Sequence, residues 1–150
     1  MRVFKDVDEL AAAKGESLGT GEWREVTQEA VQLFADATGD HQWIHLDQER
    51  ARSGPFGSTI AHGYMTLSLI PVLAKDIYRV DNVTMVVNYG LNKVRFPSPV
   101  KVGSRVRGTA ELLDITDVAG GKQAITKFTV EIEGGDKPAC VAETVSRIIR

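Results

Sequence analysis

From Thr59 to Ala74 the chain carries no Asp, Glu, Lys or Arg, and this run limits the possible folds more than any other stretch. Its apolar residues Ile60, Tyr64, Met65, Leu67, Leu69, Ile70, Val72 and Leu73, with Ile77 just beyond, surround a helical wheel instead of lining one stripe. A helix of that kind must be buried on nearly all sides. A membrane span needs about 20 predominantly apolar residues; this run is shorter, and Pro71 interrupts it. What remains is a helix sheathed by other protein, most simply by a curved sheet.

The second half of the chain supplies the sheath. Val102 to Leu113 alternates, with Val106, Gly108, Ala110 and Leu112 on one side and Arg105, Arg107, Thr109 and Glu111 on the other. Ala124 to Glu133 sets Ala124, Thr126, Phe128, Val130 and Ile132 against Ile125, Lys127, Thr129, Glu131 and Glu133. Period two with one charged face predicts antiparallel strands covered on one side. Gly120-Gly121-Lys122 and Gly134 to Pro138 separate them from each other and from Ala139–Ile149, which predicts a meander of hairpins. Val83–Tyr89 is an earlier strand, with a bend or bulge at Asn88-Tyr89-Gly90. Thr27 caps a helix to about Thr38, with Ala30, Val31, Phe34, Ala35 and Ala37 toward the core, and Glu49 to Ser53 adds a helical turn before Pro55.

Length and composition fit one domain over residues 1–150. The chain is 43% hydrophobic, enough for a core without disulfides or metal. A formal charge of −2 gives no general pull toward nucleic acid or anionic membrane. Charged residues Arg2, Lys5, Asp6, Asp8 and Glu9 stand where a signal peptide needs an apolar run, and the single cysteine, Cys140, suits a reducing compartment. A cytoplasmic location is the expectation.

Chemistry concentrates between Thr38 and Gly63. Asp40 and His45 are five residues apart, so a helix would leave their side chains about 140° apart, and a strand would send them to opposite faces. They converge only if the chain bends between them. The plain alternative is a surface turn in which Asp40 closes an Asx-turn and His45 is an ordinary half-buried histidine. His62-Gly63 opens the charge-free helix, where free N–H groups and the positive dipole end favour a developing negative charge. For Gly63 the alternative is tight helix-on-sheet packing, and for His62 a capping or core hydrogen bond.

Taken together, Thr38-Gly39-Asp40, Ile44-His45-Leu46-Asp47, Phe56-Gly57-Ser58-Thr59-Ile60-Ala61-His62-Gly63, a buried helix and a strand meander resemble the MaoC-like, R-specific enoyl-CoA hydratases. Gly39 to His45, with Asn88 to Pro97, is closest to the nodulation-protein-N-like branch. The resemblance implies an α+β hotdog fold, an antiparallel sheet wrapped around a long central helix. It also implies reversible addition of water to trans-2-enoyl-CoA, giving (R)-3-hydroxyacyl-CoA, with Asp40 and His45 as the catalytic pair and the Gly63 amide as oxyanion donor. No cofactor is implied, because coenzyme A arrives as part of the substrate. His62, Tyr64, Lys93 and Arg95 are candidates for substrate contact, Lys93, Arg95 and Lys101 forming a basic rim that has solvated surface charge as its plainer reading. A homodimer with its acyl tunnel near the interface is implied as well. Where many members carry Asn-Pro, this chain has Gln42-Trp43.

Three other classes compete. A hotdog thioesterase commonly relies on an acidic residue on the buried helix, and Thr59–Ala74 has none. A metal hydrolase would use His41 and His45, four apart, yet Gly39-Asp40 makes a poor helix interior and Gln42 replaces the general-base Glu of His-Glu-x-x-His. A non-catalytic acyl-thioester-binding subunit would not need an acid–base pair.

Overall fold

The computed structural model describes residues 1–150. Along the chain come β1 (Arg2–Phe4), α1 (Val7–Ala12), β2 (Ser17–Thr20), β3 (Arg24–Glu25), α2 (Gln28–Thr38), α3 (Trp43–Leu46), α4 (Gln48–Arg52), α5 (Gly63–Ser68), α6 (Ile70–Lys75), β4 (Tyr78–Val80), β5 (Met85–Arg95), β6 (Arg105–Val118), β7 (Gly121–Ile132) and β8 (Cys140–Ile149). The long strands form a six-stranded antiparallel sheet in the order β2-β6-β7-β8-β5, with β3 also on β6, while β1 and β4 make a small parallel pair.

The alternating patterns fold as their periods require. Val106, Gly108, Ala110 and Leu112 of β6 are buried, as are Ala124, Thr126, Phe128 and Val130 of β7. Their charged neighbours pair on the outer face, with Arg107 donating to Glu131 at 2.7 Å and Arg105 bonded to Glu133. Cys140 on β8 lies opposite Val130 and is fully buried; desolvation pushes its thiol up to about 11.

The apolar run against this sheet becomes α5 and α6. Pro71 has no N–H to donate, which divides the ladder, but Leu69 stays right-handed helical (φ −78°, ψ −15°) and accepts from Leu73 N–H at 3.0 Å. Met65, Ile70, Leu73 and Ile77 are buried in the core. The expectation of burial on nearly all sides needs correction, because Tyr64 (73% exposed), Ser68, Pro71 and Lys75 keep one stripe open. Steps of three and four residues put these four on one helix face, and the sheet of a single chain covers only the other. No helix is long and apolar enough to cross a membrane.

Helix and sheet meet at Gly108. A Cβ there would lie 3.2 Å from Leu73 Cβ and 3.3 Å from Ile77 Cδ1. Gly108→Ala is therefore expected to lower stability by about 1–3 kcal/mol through overpacking, read as a reduced denaturant midpoint with unchanged slope.

Two further expectations need adjustment. Ala37 is exposed, because it lies two residues, about 200°, round the helix from buried Ala35. The strand expected to end near Tyr89 runs on to Arg95, since register shifts between Asn88/Gly90 and Leu91/Lys93 absorb an extra residue each without ending the pairing with β8.

Candidate active site

Asp40 and His45 are brought together by a loop held at both ends. Thr27 Oγ1 accepts from Ala30 N–H at 3.1 Å to open α2, and Gly39 closes it at φ +80°, with its N–H on Ala35 O at 2.8 Å. That left-handed glycine turns the chain out of the helix directly before Asp40. Trp43 then opens α3, its indole packed between Gly54 and the Arg50 guanidinium, which stands 4.0 Å from the ring. Trp43 thus anchors the loop at the position where the resembled family often carries the proline of Asn-Pro.

Within this frame Asp40 Oδ2 lies 4.0 Å from His45 Nε2, the carboxylate half exposed at 51% and the imidazole buried at 7%. The other carboxylate oxygen takes Gln42 N–H at 3.4 Å, so an Asx-type turn and convergence on His45 coexist. His45 Nδ1 lies 2.7 Å from the Ile60 carbonyl. A carbonyl only accepts, so Nδ1 carries the proton and Nε2 of the neutral ring presents its lone pair toward Asp40. A 4.0 Å gap is too long for a direct bond and wide enough for a water to bridge.

His62 completes the cluster. It is 2% exposed, its Nε2–H donates to the Asp40 main-chain carbonyl at 3.0 Å, and its ring stacks on His45 at 3.9 Å between centroids. Phe34 closes its other side at 4.9 Å. Ligand atoms of Asp40, His45 and His62 all lie within 4.8 Å of one another, yet the two rings are nearly parallel at 25°. Lone pairs in stacked, nearly parallel planes do not aim at one common point, and His62 Nε2–H is already given to the Asp40 carbonyl, so the cluster does not fit the roughly 2.0–2.1 Å tetrahedral convergence of a zinc site. His41 belongs to neither arrangement, since it turns back to Asp36 at 3.0 Å.

That outer contact gives a pH expectation. The Asp36 carboxylate holds His41 above its ordinary value, and the His41 imidazole, with Gln32, holds Asp36 below its own. His41's share of the tether is complete below its unfolded pKa and lost as pH rises through the raised folded value. Asp36's share is present above its unfolded pKa and lost as pH falls through the lowered one. NMR titration should find His41 above about 6.5 and returning toward that value in Asp36→Asn.

Gly63 follows His62 as the first residue of α5, so its N–H has no partner within the helix. The preceding segment is pinned in extended form, Ala61 N–H donating to Val100 O at 2.8 Å and Val102 N–H to Thr59 O at 2.9 Å. A cavity of about 250 Å³ reaches Gly63, walled by Phe56, Ile60, Thr66, Phe96 and Ala139. Phe96 sits against the glycine, 3.3 Å from where a Cβ would stand.

The remaining candidates lie farther out. Tyr64 is exposed and meets Phe96 edge-on at 6.4 Å, while Lys93 and Arg95 are exposed on β5 and Lys101 on the loop bridged to Ile60. None of the four lines the Gly63 cavity, and neither do Asp40, His45 or His62. Ser68 returns its hydroxyl to Tyr64 O at 2.7 Å on the open helix stripe. Thr59 and Phe96, which lie in the motif segments without a role assigned there, and Gln28, which lies in none, also surround the site.

Comparison with known proteins shows the family and the fold. Residues 9–133 match the family model described as a MaoC like domain. The chain is 59% identical over 150 residues to 3-hydroxyacyl-thioester dehydratase Z of Mycobacterium tuberculosis H37Rv, covering 99% of each. It is 46% identical over 138 residues to nodulation protein N of Rhizobium leguminosarum bv. viciae, covering 89% of this chain and 85% of that one. Among solved structures, an unliganded R-hydratase of Pseudomonas aeruginosa superposes with a TM-score of 0.74 at 23% identity, covering 91% of this chain and 82% of that one, which shows the shared fold.

Proposed function

The chain belongs to the MaoC-like dehydratase family, and from that premise we propose that it adds water reversibly across trans-2-enoyl-CoA to give (R)-3-hydroxyacyl-CoA, with residues 1–150 acting as one catalytic domain. The observation that carries this reading is the 4.0 Å gap between Asp40 Oδ2 and His45 Nε2 beside the start of α5.

In the hydration direction one water spans that gap from the side, within hydrogen-bond reach of both atoms. One member of the pair takes a proton from it as its oxygen bonds C3, and that same proton, relayed across the pair, is delivered to C2 by the other, so the OH and the H of one water both end on the substrate and the pair returns unchanged. Negative charge gathers meanwhile on the thioester oxygen, where the Gly63 N–H is already oriented and needs little reorganisation. Both groups lie on one side of the alkene, so addition is syn. His62, buried beneath the pair, takes a supporting role in this reading, and Tyr64, Lys93 and Arg95, exposed outside the Gly63 cavity, are the residues assigned to the outer parts of the thioester. Coenzyme A enters as part of the substrate.

The open stripe of α5 and α6 and the bare edge of β5 support a homodimer. β5 ends the sheet with one edge unpaired, and Met85, Val86, Val87, Tyr89 and Leu91 are all exposed on it. A long apolar edge of this kind is a template for pairing. Between it and the helices runs a groove of about 390 Å³ lined by Leu67, Ser68, Pro71, Asn88 and Tyr89, which a second copy would roof over. Sedimentation should give twice the chain mass, and the Val87→Lys/Leu91→Lys double variant should give one. A monomeric wild type at micromolar concentration would contradict the dimer.

A thioesterase is the alternative within the same fold, and the helix that would carry its acid has none between Gly63 and Ala74. Following crotonyl-CoA by loss of the conjugated enoyl absorbance and by release of free thiol separates the two. Absorbance loss without thiol release supports hydration.

A further inference from the structure

We propose that Gln28 is a positioning residue that holds the catalytic imidazole through its main chain, a role that rests on the assignment of Asp40 and His45 as the catalytic pair. Its side-chain Nε2 donates to the His45 carbonyl at 2.7 Å, and its Oε1 accepts from Thr59 Oγ1 at 2.7 Å and from Gln48 Nε2 at 3.1 Å. The His45 carbonyl only accepts, so the amide is oriented with nitrogen toward the site. Its oxygen then has both lone pairs taken.

The local structure explains why this bond matters. α3 has four residues and no side-chain cap at its start, far too short to persist by itself. Three of its four carbonyls are tied by tertiary or turn bonds: Trp43 O takes Asp47 N–H at 3.0 Å, Ile44 O takes Ile60 N–H at 3.0 Å, and His45 O takes Gln28. Only the last of these comes from a side chain of another element. Gln28 is itself fixed, because it is the first residue of α2, directly after the Thr27 cap. The same amide reaches Thr59, next to the Ile60 carbonyl that orients the His45 ring. Gln28 therefore joins the two chain segments that together set where Nε2 points.

The test uses Gln28→Met, which keeps the length and removes every hydrogen bond, and Thr59→Val, which removes the hydroxyl that fixes the amide's orientation. With crotonyl-CoA, Gln28→Met is expected to lower kcat about 10- to 100-fold with KM within about twofold. The double variant should be no worse than Gln28→Met, since Thr59 acts through it. Independently of turnover, the His45 Nδ1–H resonance in ¹H–¹⁵N spectra should exchange faster with solvent in Gln28→Met. Unchanged kcat with unchanged exchange, or a loss confined to KM, overturns the proposal. If the wild type hydrates no enoyl thioester the parent reading fails, and the exchange signal alone still decides whether Gln28 holds His45. Should Gln28→Met not fold, Thr59→Val carries the test through the same two readouts.

Discussion

Replacing Asp40 by Asn, or His45 by Gln, is expected to lower crotonyl-CoA turnover at least about 10²-fold while leaving the fold intact. The contacts in place argue that the loss is chemical. Asp40's structural bonds are its main-chain carbonyl, taken by His62, and one long Asx-type contact, both of which an Asn can keep. Its carboxylate is half exposed, so isosteric neutralisation strands no buried charge. Gln at position 45 places its amide at the reach of His45 Nε2, and His45→Asn, whose amide lies at the reach of Nδ1, is the companion variant that keeps a donor for the Ile60 carbonyl now served at 2.7 Å. What each variant loses is the ability to take or give a proton at the shared gap. Circular dichroism and thermal midpoints should match the wild type, and a near-normal rate in either variant would remove that residue from the reaction.

Gly63→Pro should be nearly as damaging, because it deletes the one N–H assigned to the thioester oxygen. Proline is at home in the first position of a helix, and His62 already has the extended conformation a following proline demands (φ −59°, ψ 140°). The helix start should therefore survive. A Cβ at this position meets Phe96 at 3.3 Å, so steric crowding accompanies the lost donor. Gly63→Ala introduces that crowding alone. The ratio of kcat between the Ala and Pro variants isolates the amide, and by analogy with other oxyanion donors it should be about 10²–10³. Equal rates in the two variants would mean that the Gly63 N–H does not hold the oxygen.

Local patterns in the sequence carried much of the architecture because their causes are local. Thr27 and Gly39 mark both ends of α2, the charged and apolar rows of β6 and β7 fall on their expected faces, and Asp40 and His45 approach each other across the bend that follows Gly39. Other features lie outside local reach. The parallel pairing of β1 with β4 joins residues far apart in sequence, and no period announces it. Gln28 serves positions 17 and 31 residues away through a side chain that reads as an ordinary polar residue in a first helical turn. Burial of the charge-free helix was overestimated for a physical reason: an apolar sequence reports that a surface will be covered, not that its own chain covers it. The Tyr64, Ser68 and Pro71 stripe lies open beside the unpaired β5 edge.

The His62 ring is a second case. A histidine before a glycine at a helix start reads equally as a cap, a core hydrogen bond or a ligand contact. The structure selects a bond to the Asp40 carbonyl and a stack on His45, with no side-chain cap. That choice depends on the path of the chain from Gly39 to Trp43, which residue spacing restricts but does not determine.

The most direct measurement is hydration of crotonyl-CoA in D₂O by the purified protein, with the configuration of the product resolved at both C2 and C3. One water held between Asp40 and His45 beside the Gly63 amide predicts (R)-3-hydroxybutyryl-CoA, with deuterium and hydroxyl added to the same face. An S-configured or anti-added product, or no hydration at all, would contradict it.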